Sequence, residues 1–335
     1  MSDRAALHVV VTGAAGFVGR ALVARLLRER RVGARPLGAL TALDLAFADA
    51  APAGTRQAEG TRQLVGMRQL EGSIADRAVV TRAFAEPVDL LVHLASMPGG
   101  SAEQQPALAR EVNLHGTLHL LDACERQVAQ GGPMPRVVFA STIAVYGAAM
   151  PALVDDDTPA RPAMAYGAHK LMAEIAIADA TRRGGCDGVS LRLPGVLARP
   201  PVRTGQLSAF LSDLLREPAA GRDVVCPMSP AATTWASSTP NIVDNLLHAA
   251  ALDTATLPSH RVLALPTLRF SMAELVDALA AVHGPQLRQH VCFAPEPRIE
   301  ALFGRFPPLR TPAADAAGFR HDGDLPTLCR RAIES

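Results

Sequence analysis

A glycine-rich segment between an apolar run and a helical pattern sets the strongest limit on how this chain folds. Residues 7–11 read LHVVV, a short run that is apolar on both faces, as is typical of a central strand in a parallel sheet. In the TGAAGFVG segment that follows, glycines recur at every third position, and apolar residues then recur at helical spacing. Such glycines permit a tight turn and let the backbone approach a pyrophosphate at the helix N-terminus. The segment therefore predicts a dinucleotide contact through Gly13, Gly16, Phe17, Val18 and Gly19.

Strand and helix patterns continue to alternate along the first half of the chain and beyond. Further strand-like runs cover residues 38–45, 88–95, 136–142 and 189–196, and helical patterns cover residues 113–127 and a stretch beginning near Tyr166. Strands separated by helices predict the α/β class, in the form of a Rossmann fold with a doubly wound parallel sheet.

After these strands the periodicity becomes irregular and prolines are frequent. Helical patterns remain at residues 242–252 and 272–282. We expect an NAD-binding domain over residues 1–190 and, over residues 191–335, a smaller C-terminal substrate lobe with some segments returning to the first domain. The stretch 47–67, rich in Ala, Gly, Gln and Arg, is expected to form a variable loop region.

Asp44 ends the second strand-like run, 25 positions after Gly19. A carboxylate at this point would accept hydrogen bonds from the adenosine ribose and repel a 2′-phosphate, which favours NAD over NADP. An ordinary solvated turn aspartate is the alternative. Arg56 or Arg62, in the loop region, would also be able to reach a phosphate.

A possible acid-base pair lies in YGAHK, where Tyr166 and Lys170 are four positions apart and so share one helix face. An ammonium beside a phenol favours the phenolate and lets it exchange protons with an alcohol. Thr142, at the end of a strand-like run, would be able to hydrogen-bond the same substrate oxygen. The alternatives are a chance match on a surface helix for the pair and a loop-capping hydroxyl for Thr142.

Five motifs stand together in one order: TGAAGFVG, HLAS, VNLHGT, STIAVYG and YGAHK. Their order and separations resemble the extended short-chain dehydrogenase/reductase family, which includes sugar-nucleotide epimerases and dehydratases. The resemblance implies a Rossmann domain with a small substrate lobe, commonly in a homodimer, and a catalytic set of Thr142, Tyr166 and Lys170. It also implies that Lys170 holds the nicotinamide ribose. Further cofactor contacts carried over from the family are Ser73, Ile74, Leu94, Ala95, Asn113, Tyr166, Pro194 and Val196, with Asn113 having a purely structural alternative.

Departures from the family pattern narrow the class of reaction that we expect. Dehydratases carry an Asp-Glu pair after the catalytic threonine, and this chain has Ile143 and Ala144 there. Epimerases usually have an Asn in the strand after the Tyr-Lys helix, where this chain has Pro194 and Gly195. Residues 192–230 are instead similar to the D-erythronate dehydrogenase branch and, more distantly, to short-chain L-threonine dehydrogenases. That similarity implies oxidation of a secondary alcohol on a small hydroxy acid with NAD.

A hydroxy acid would need donors for its carboxylate, and four residues are candidates. They are Ser96, the backbone of Met97, Arg199 and Ser208. Ser96 has the alternative of a strand-end cap, Arg199 of a structural or solvated ion pair, and Ser208 of a helix N-cap.

Composition excludes several other classes. With 33 basic and 32 acidic side chains, the chain has no net field to hold nucleic acid or a membrane surface. No apolar run is long enough for a membrane span, and the five cysteines lack paired spacing, so we expect a cytoplasmic protein with reduced thiols. No metal site is expected, because the histidines near the motifs fall on different elements: His93, His115, His119 and His169.

Two other functions remain open at this point. One is a sugar-nucleotide epimerase or reductase of the same family, which would keep NAD bound through turnover. The other is a dinucleotide sensor without activity. The presence of both Tyr166 and Lys170 argues against a sensor.

Overall fold

The fold was analysed in a computed structural model, which describes residues 6–47, 57–58, 61–64, 66–197 and 210–334. The strands within these residues are β1 (Leu7–Thr12), β2 (Arg31–Val32), β3 (Arg35–Asp44), β4 (Gln57–Ala58), β5 (Thr61–Leu64), β6 (Met67–Glu71), β7 (Leu90–His93), β8 (Arg136–Thr142), β9 (Asp187–Leu193), β10 (Gly195–Val196), β11 (Val224–Cys226), β12 (Thr233–Ser237), β13 (Val262–Ala264), β14 (Leu268–Ser271) and β15 (Val291–Phe293).

Helices connect and cover these strands. They are α1 (Phe17–Glu29), α2 (Arg77–Ala83), α3 (Gly99–Gln104), α4 (Pro106–Arg110), α5 (Gly116–Ala129), α6 (Ala165–Arg182), α7 (Phe210–Ala219), α8 (Thr239–Ala251), α9 (Met272–His283), α10 (Pro297–Phe303), α11 (Pro312–Ala316) and α12 (Leu325–Ile333). A π-helical turn, Glu111–His115, joins α4 to α5, and a 3-10 turn, Ile143–Tyr146, follows β8. Within the described residues, no helix has both the length and the apolar character needed to cross a membrane.

A parallel sheet forms the centre of the structure, with strands in the order β13-β9-β8-β7-β1-β3-β6. One apolar core packs α1 and α8 on one face, and a second packs α2, α5 and α6 on the other. The predicted α/β class with a doubly wound parallel sheet is therefore confirmed. Because the strands are parallel, the loops after β1, β3, β6, β7, β8 and β9 all meet at one edge, the carboxyl edge.

Several predicted element bounds are wrong. The strand expected over residues 189–196 is broken at Pro194, because proline lacks the N–H that would continue the ladder; β9 ends at Leu193 and β10 pairs with β12 in another sheet. The loop expected over residues 47–67 contains β4 and β5, and β5 pairs with the outer edge of β6. The helix expected over residues 113–127 begins with the π-helical turn and continues as α5 to Ala129.

The C-terminal part contributes to two places in the fold. Strands β10, β12 and β14 form a small sheet, and α7, α9 and α12 enclose an apolar core beside it. Strand β13, in contrast, pairs with β9 in the central sheet, and α8 packs on α1. Residues after 190 thus form both the small sheet with its core and parts of the central sheet. The domain boundary at residue 190 stays a prediction.

Candidate active site

The glycine-rich loop between β1 and α1 packs too tightly for side chains. Gly13 has a φ of +72°, and a Cβ on it would lie 2.6 Å from the backbone nitrogen of Ala95. A Cβ on Gly19 would lie 2.0 Å from the carbonyl oxygen of Gly13. Gly16 is exposed and caps the N-terminus of α1 through its backbone alone. The loop thus leaves the helix N-terminus open at the carboxyl edge, which fits the pyrophosphate of a dinucleotide.

Asp44 lies at the same edge, at the end of β3, and its carboxylate holds the glycine loop. Oδ2 accepts a hydrogen bond from the Ala15 N–H at 2.8 Å, and Oδ1 accepts one from the Leu45 N–H at 2.7 Å. Asp44 is therefore not an ordinary solvated turn residue. Each carboxylate oxygen has a second lone pair, so these bonds leave it capacity for ribose hydroxyls.

A line of neutral polar groups, here called the neutral chain, runs beneath the glycine loop. The Ala95 N–H donates to Thr12 Oγ1 at 3.3 Å, Thr12 Oγ1 lies 2.7 Å from His93 Nδ1, and His93 Nε2 lies 2.9 Å from Thr117 Oγ1. The Thr117 hydroxyl donates to the Asn113 carbonyl at 2.8 Å. Since that bond uses the Thr117 proton, His93 Nε2 carries hydrogen and Nδ1 accepts the proton of Thr12.

Burial keeps His93 neutral. Its pKa lies well below the ordinary histidine value, first because of desolvation and then because of nearby Lys170. Both ring nitrogens are already bonded to threonine hydroxyls, so neither is directed at a metal ion. Among the described residues, no group of three or more His, Cys, Asp or Glu side chains lies close enough to hold a metal ion.

Asn113 contacts backbone. Its Oδ1 accepts from the Met97 N–H at 2.7 Å, and its Nδ2 donates to the Met97 carbonyl at 3.0 Å. Its amide therefore holds the loop after β7, which includes Ser96. The observed role is structural, but it differs from the alternative of only shaping its own helix, because Asn113 fixes the loop predicted to meet the substrate.

Thr142 ends β8 and is almost fully buried. Its Oγ1 accepts from the Ala144 N–H at 3.1 Å, so the loop-capping role suggested by the sequence is present. Helix α6 comes close to this turn because Gly167 has no side chain: a Cβ there would lie 2.6 Å from the Ala144 carbonyl oxygen. The close approach packs the first turn of α6, which carries Tyr166, against the 3-10 turn that follows β8.

Lys170 is 2% exposed and lies one helical turn after Tyr166. Its Nζ donates to the Ala140 carbonyl at 2.7 Å, and it lies 4.5 Å from the Phe139 ring centre and 5.8 Å from the Tyr166 ring centre. Burial lowers the pKa of Lys170 to about 7, and the charge of Glu174 opposes that shift. An ammonium with this pKa exchanges protons near neutral pH.

The other predicted cofactor residues follow neighbouring strands at the carboxyl edge. Ser73 and Ile74 follow β6, Leu94 and Ala95 follow β7, and Pro194 and Val196 follow β9. The structure therefore brings the predicted residues to one edge around the glycine loop and α6. Among the predicted substrate contacts, Arg199 and Ser208 lie outside the described residues, as does Arg56.

Sequence comparison places this site within a known family. Residues 9–232 match the model of the NAD dependent epimerase/dehydratase family. The chain belongs to this family. A D-erythronate dehydrogenase from Cupriavidus necator is 34% identical over 334 residues, covering 98% of each chain. A second, from Haemophilus influenzae, is 29% identical over 329 residues, covering 98% of this chain and 99% of the relative.

A solved structure matches this chain along its whole length. The crystal structure of a nucleoside-diphosphate-sugar epimerase from Agrobacterium tumefaciens superposes with a TM-score of 0.89 at 29% identity, covering 100% of this chain and 96% of its own. Membership of the NAD dependent epimerase/dehydratase family implies a nicotinamide dinucleotide as cofactor, and the glycine loop fits one.

The sequence analysis missed a set of buried charges behind Tyr166, here called the charged cluster. Glu174 on α6 pairs with Arg192 on β9 at 2.8 Å and also accepts the Ser141 hydroxyl. With Lys170 these residues complete the cluster. A charged residue in the apolar β9 pattern was the available signal, since buried arginine is rare without a partner.

Glu103 was also missed. From α3 its Oε1 accepts the Ala165 N–H at 2.5 Å, at the start of α6. This bond joins the segment after the predicted substrate loop to the helix that carries Tyr166. Nothing in the sequence separates Glu103 from a solvated acidic residue.

Proposed function

We propose that this protein oxidises a secondary alcohol on a small hydroxy acid with NAD, as a D-erythronate dehydrogenase that yields 2-dehydro-erythronate. The observation that carries the proposal is the likeness, along the full length of both chains, to two D-erythronate dehydrogenases. The position of Thr142 at the end of β8, and of Tyr166 and Lys170 on the helix that contacts this strand, supports it, since oxidation of an alcohol needs a base beside the substrate.

In the proposed reaction Tyr166, as phenolate, removes the hydroxyl proton of the substrate. Thr142 donates a hydrogen bond to the same oxygen while it becomes a carbonyl oxygen. Lys170 favours the phenolate through its positive charge. Bound NAD supplies the acceptor for the hydride that leaves the same carbon. The O–H bond gives its proton to Tyr166, and the C–H bond gives its hydrogen and two electrons to NAD as hydride, so the carbon–oxygen bond becomes double.

NAD rather than NADP is proposed because of Asp44. Its carboxylate stands at the end of β3, fixed by two backbone N–H groups, and would repel a 2′-phosphate. The proposed cofactor contacts are Gly13, Gly16, Phe17, Val18, Gly19, Asp44, Ser73, Ile74, Leu94, Ala95, Asn113, Tyr166, Lys170, Pro194 and Val196. Asn113 acts in this proposal through the loop that it holds.

The substrate is proposed to lie between Tyr166 and the loop after β7. Ser96 is the proposed donor to its carboxylate, together with Arg199 and Ser208, whereas the predicted donor Met97 N–H is already bonded to Asn113. The bond pair between Asn113 and Met97 supports a fixed loop at this point. A fixed loop of this kind suits the binding of a small anion.

An epimerase is the second candidate, and the solved relative named as a nucleoside-diphosphate-sugar epimerase favours it. An epimerase would return its hydride to the substrate and release no reduced cofactor. Its substrate would also carry a nucleoside diphosphate. These two differences separate the candidates in a single assay.

The assay follows formation of reduced cofactor with NAD and NADP in parallel. The substrates are D-erythronate, L-threonate, L-threonine and a UDP-sugar. Reduction of NAD by D-erythronate, with little reduction of NADP, is the expected result. Conversion of the UDP-sugar without net reduced cofactor, together with inactivity on every acid, would move the protein to the epimerases.

We also propose a homodimer packed through α5 and α6. Leu118 on α5 and Met172 and Ile175 on α6 are exposed, and Ile175 is 64% exposed, which is unusual for a large apolar side chain. Ile175→Glu should shift the mass measured by light scattering from dimer to monomer, whereas Val225→Glu, at an exposed apolar residue of β11, tests for a non-specific effect. A monomeric wild-type chain would refute the dimer.

A cytoplasmic location is the last part of the proposal. All five cysteines are free, and four of them are buried. Such thiols suit a reducing compartment. Fractionation of cells that express the untagged protein tests it, and recovery from an oxidising compartment would contradict it.

A further inference from the structure

Glu174 holds a carboxylate in the interior, one helical turn after Lys170 on α6. The residue is 2% exposed. Its Oε1 accepts hydrogen bonds from the Ser141 hydroxyl and from Arg192 Nε, and its Oε2 accepts one from Arg192 Nη2 at 2.8 Å. Bonds from a charged donor such as Arg192 hold the carboxylate in one orientation. Nothing in the proposed reaction yet uses this group.

Two residues on one face of α6 hold two successive residues of β8. Lys170 Nζ donates to the Ala140 carbonyl at 2.7 Å, and Glu174 accepts the hydroxyl of Ser141. The next residue is Thr142, where the strand ends. Because both contacts join the same helix to the same strand, they fix the reacting threonine relative to the lysine. A loss of either contact would loosen that relation.

Glu174 supplies the negative charge that acts on Lys170. Within the part of the chain that the structure describes, the groups that face Lys170 are Glu174 and Tyr166 on α6, Phe139 on β8 and His93 on β7. His93 is neutral, so among these groups the negative charge comes from Glu174. Arg192 on β9 pairs with the same carboxylate and also donates to the Tyr146 hydroxyl at 3.2 Å. Arg192 therefore competes for the carboxylate whose charge favours the ammonium.

We propose that Glu174 is a positioning residue for the Tyr166–Lys170 pair, acting on Lys170 by its charge and on Thr142 through Ser141. The role rests on the proposed function of that pair. Burial alone disfavours the ammonium, and Glu174 offsets part of that cost. Without the carboxylate, the cost of burial alone would act on the ammonium, so Lys170 would lose its proton at a lower pH. A neutral lysine would no longer favour the phenolate.

The test measures the ammonium itself. The chain has one lysine, Lys170, so NMR of isotope-labelled lysine follows its ionisation alone. Glu174→Gln should lower the ionisation midpoint of Lys170 by about one pH unit, because the carboxylate no longer offsets the cost of burial. Arg192→Gln should raise the midpoint, because it removes the cation that competes for the carboxylate. Loss of structure would expose the lysine and raise the midpoint toward 10.5 in both variants.

Asp179→Asn is the matched control. Asp179 lies on the same helix, but it is exposed and pairs with Arg182 and Arg183 at the surface. Its removal should leave the midpoint within about 0.3 pH units of the reference. An unchanged midpoint in Glu174→Gln, or a shift of equal sign in Arg192→Gln, would overturn the proposal. The titration uses neither substrate nor cofactor, so it can fail while the hydroxy-acid assay succeeds, and the reverse also holds.

Discussion

The neutral chain and the charged cluster are both buried at the carboxyl edge, yet they solve the cost of burying polar groups differently. In the neutral chain every donor has an acceptor, and His93 is held in one tautomer between two threonines. In the charged cluster Glu174 pairs with Arg192, and the charge of Glu174 also favours the ammonium of Lys170. The neutral chain fixes the positions of its side chains, whereas the charged cluster contains an ammonium that can lose its proton.

The contrast shows which part of the site responds to pH. His93 has a pKa well below its ordinary value of 6.5, so the neutral chain stays in one state over the neutral range. Lys170 has a pKa of about 7 against an ordinary value of 10.5, so its cluster titrates there. The fold thus separates the support of the cofactor loop from the acid-base chemistry.

Lys170→Met should have the largest effect on activity. Removing the ammonium leaves the phenol of Tyr166 without its charge support, so turnover should fall about 10²-fold or more. Stability should respond differently. Because folding lowers the pKa of Lys170, the ammonium costs stability fully below about pH 7, and that cost fades as pH rises toward 10.5.

Urea unfolding of Lys170→Met and wild type at about pH 6.5 and pH 9.5 measures this cost. The free energy of unfolding of the variant, relative to that of wild type, should be larger at the lower pH than at the higher pH. A relative stability that is the same at both values would mean that Lys170 is not penalised by burial. Near-normal turnover would remove Lys170 from the proposed mechanism.

Among changes to the neutral chain, His93→Leu should have the largest effect on the free energy of unfolding. The change leaves the Thr12 hydroxyl buried without an acceptor, at a cost of about 2–3 kcal/mol in the free energy of unfolding. Since the folded pKa is depressed, the stability contributed by neutral His93 is present above pH 6.5 and is lost as pH falls below it.

The difference between His93→Leu and wild type should therefore be constant from about pH 7.5 to pH 9 and shrink at about pH 5. The difference in stability between Lys170→Met and wild type changes instead above about pH 7. If both variants changed over the same pH range, the separation of the two buried sets would be wrong.

Thr117→Val should have a smaller effect of about 1–2 kcal/mol, because it keeps the shape of the side chain and leaves the His93 Nε2 proton unpaired. Thr81→Val is the matched control. Both hydroxyls donate at 2.8 Å to the carbonyl four residues earlier, but Thr81 is exposed. Thermal unfolding compares them, and equal losses would show that the neutral chain adds nothing to an ordinary helix hydroxyl.

Sequence patterns predicted the parts of the site that depend on local rules. Glycine spacing gave the loop before α1, and the spacing of Tyr166 and Lys170 gave one helix face. The Rossmann class and the bounds of β8 are confirmed. These features follow from periodicity and steric limits over a few residues.

The contacts that were missed join residues far apart in sequence. His93 and Thr117 are 24 positions apart, and Glu174 and Arg192 are 18 apart. Each looks ordinary alone, as a polar residue within an apolar pattern. Their pairing depends on the strand order and on the register between β8 and β9, which a single sequence does not specify.

The measurement that tests the central claim most directly compares Tyr166→Phe with Tyr146→Phe, each of which removes one of the two phenols of the chain. Both variants are assayed for NAD reduction by the substrate that wild type oxidises, and for NAD binding by fluorescence. Tyr166→Phe should keep NAD binding and lose about 10²-fold or more in turnover, while Tyr146→Phe stays within a few-fold of wild type. Near-normal turnover in Tyr166→Phe, or equal losses in both variants, would contradict the assignment of Tyr166 as the group that takes the proton.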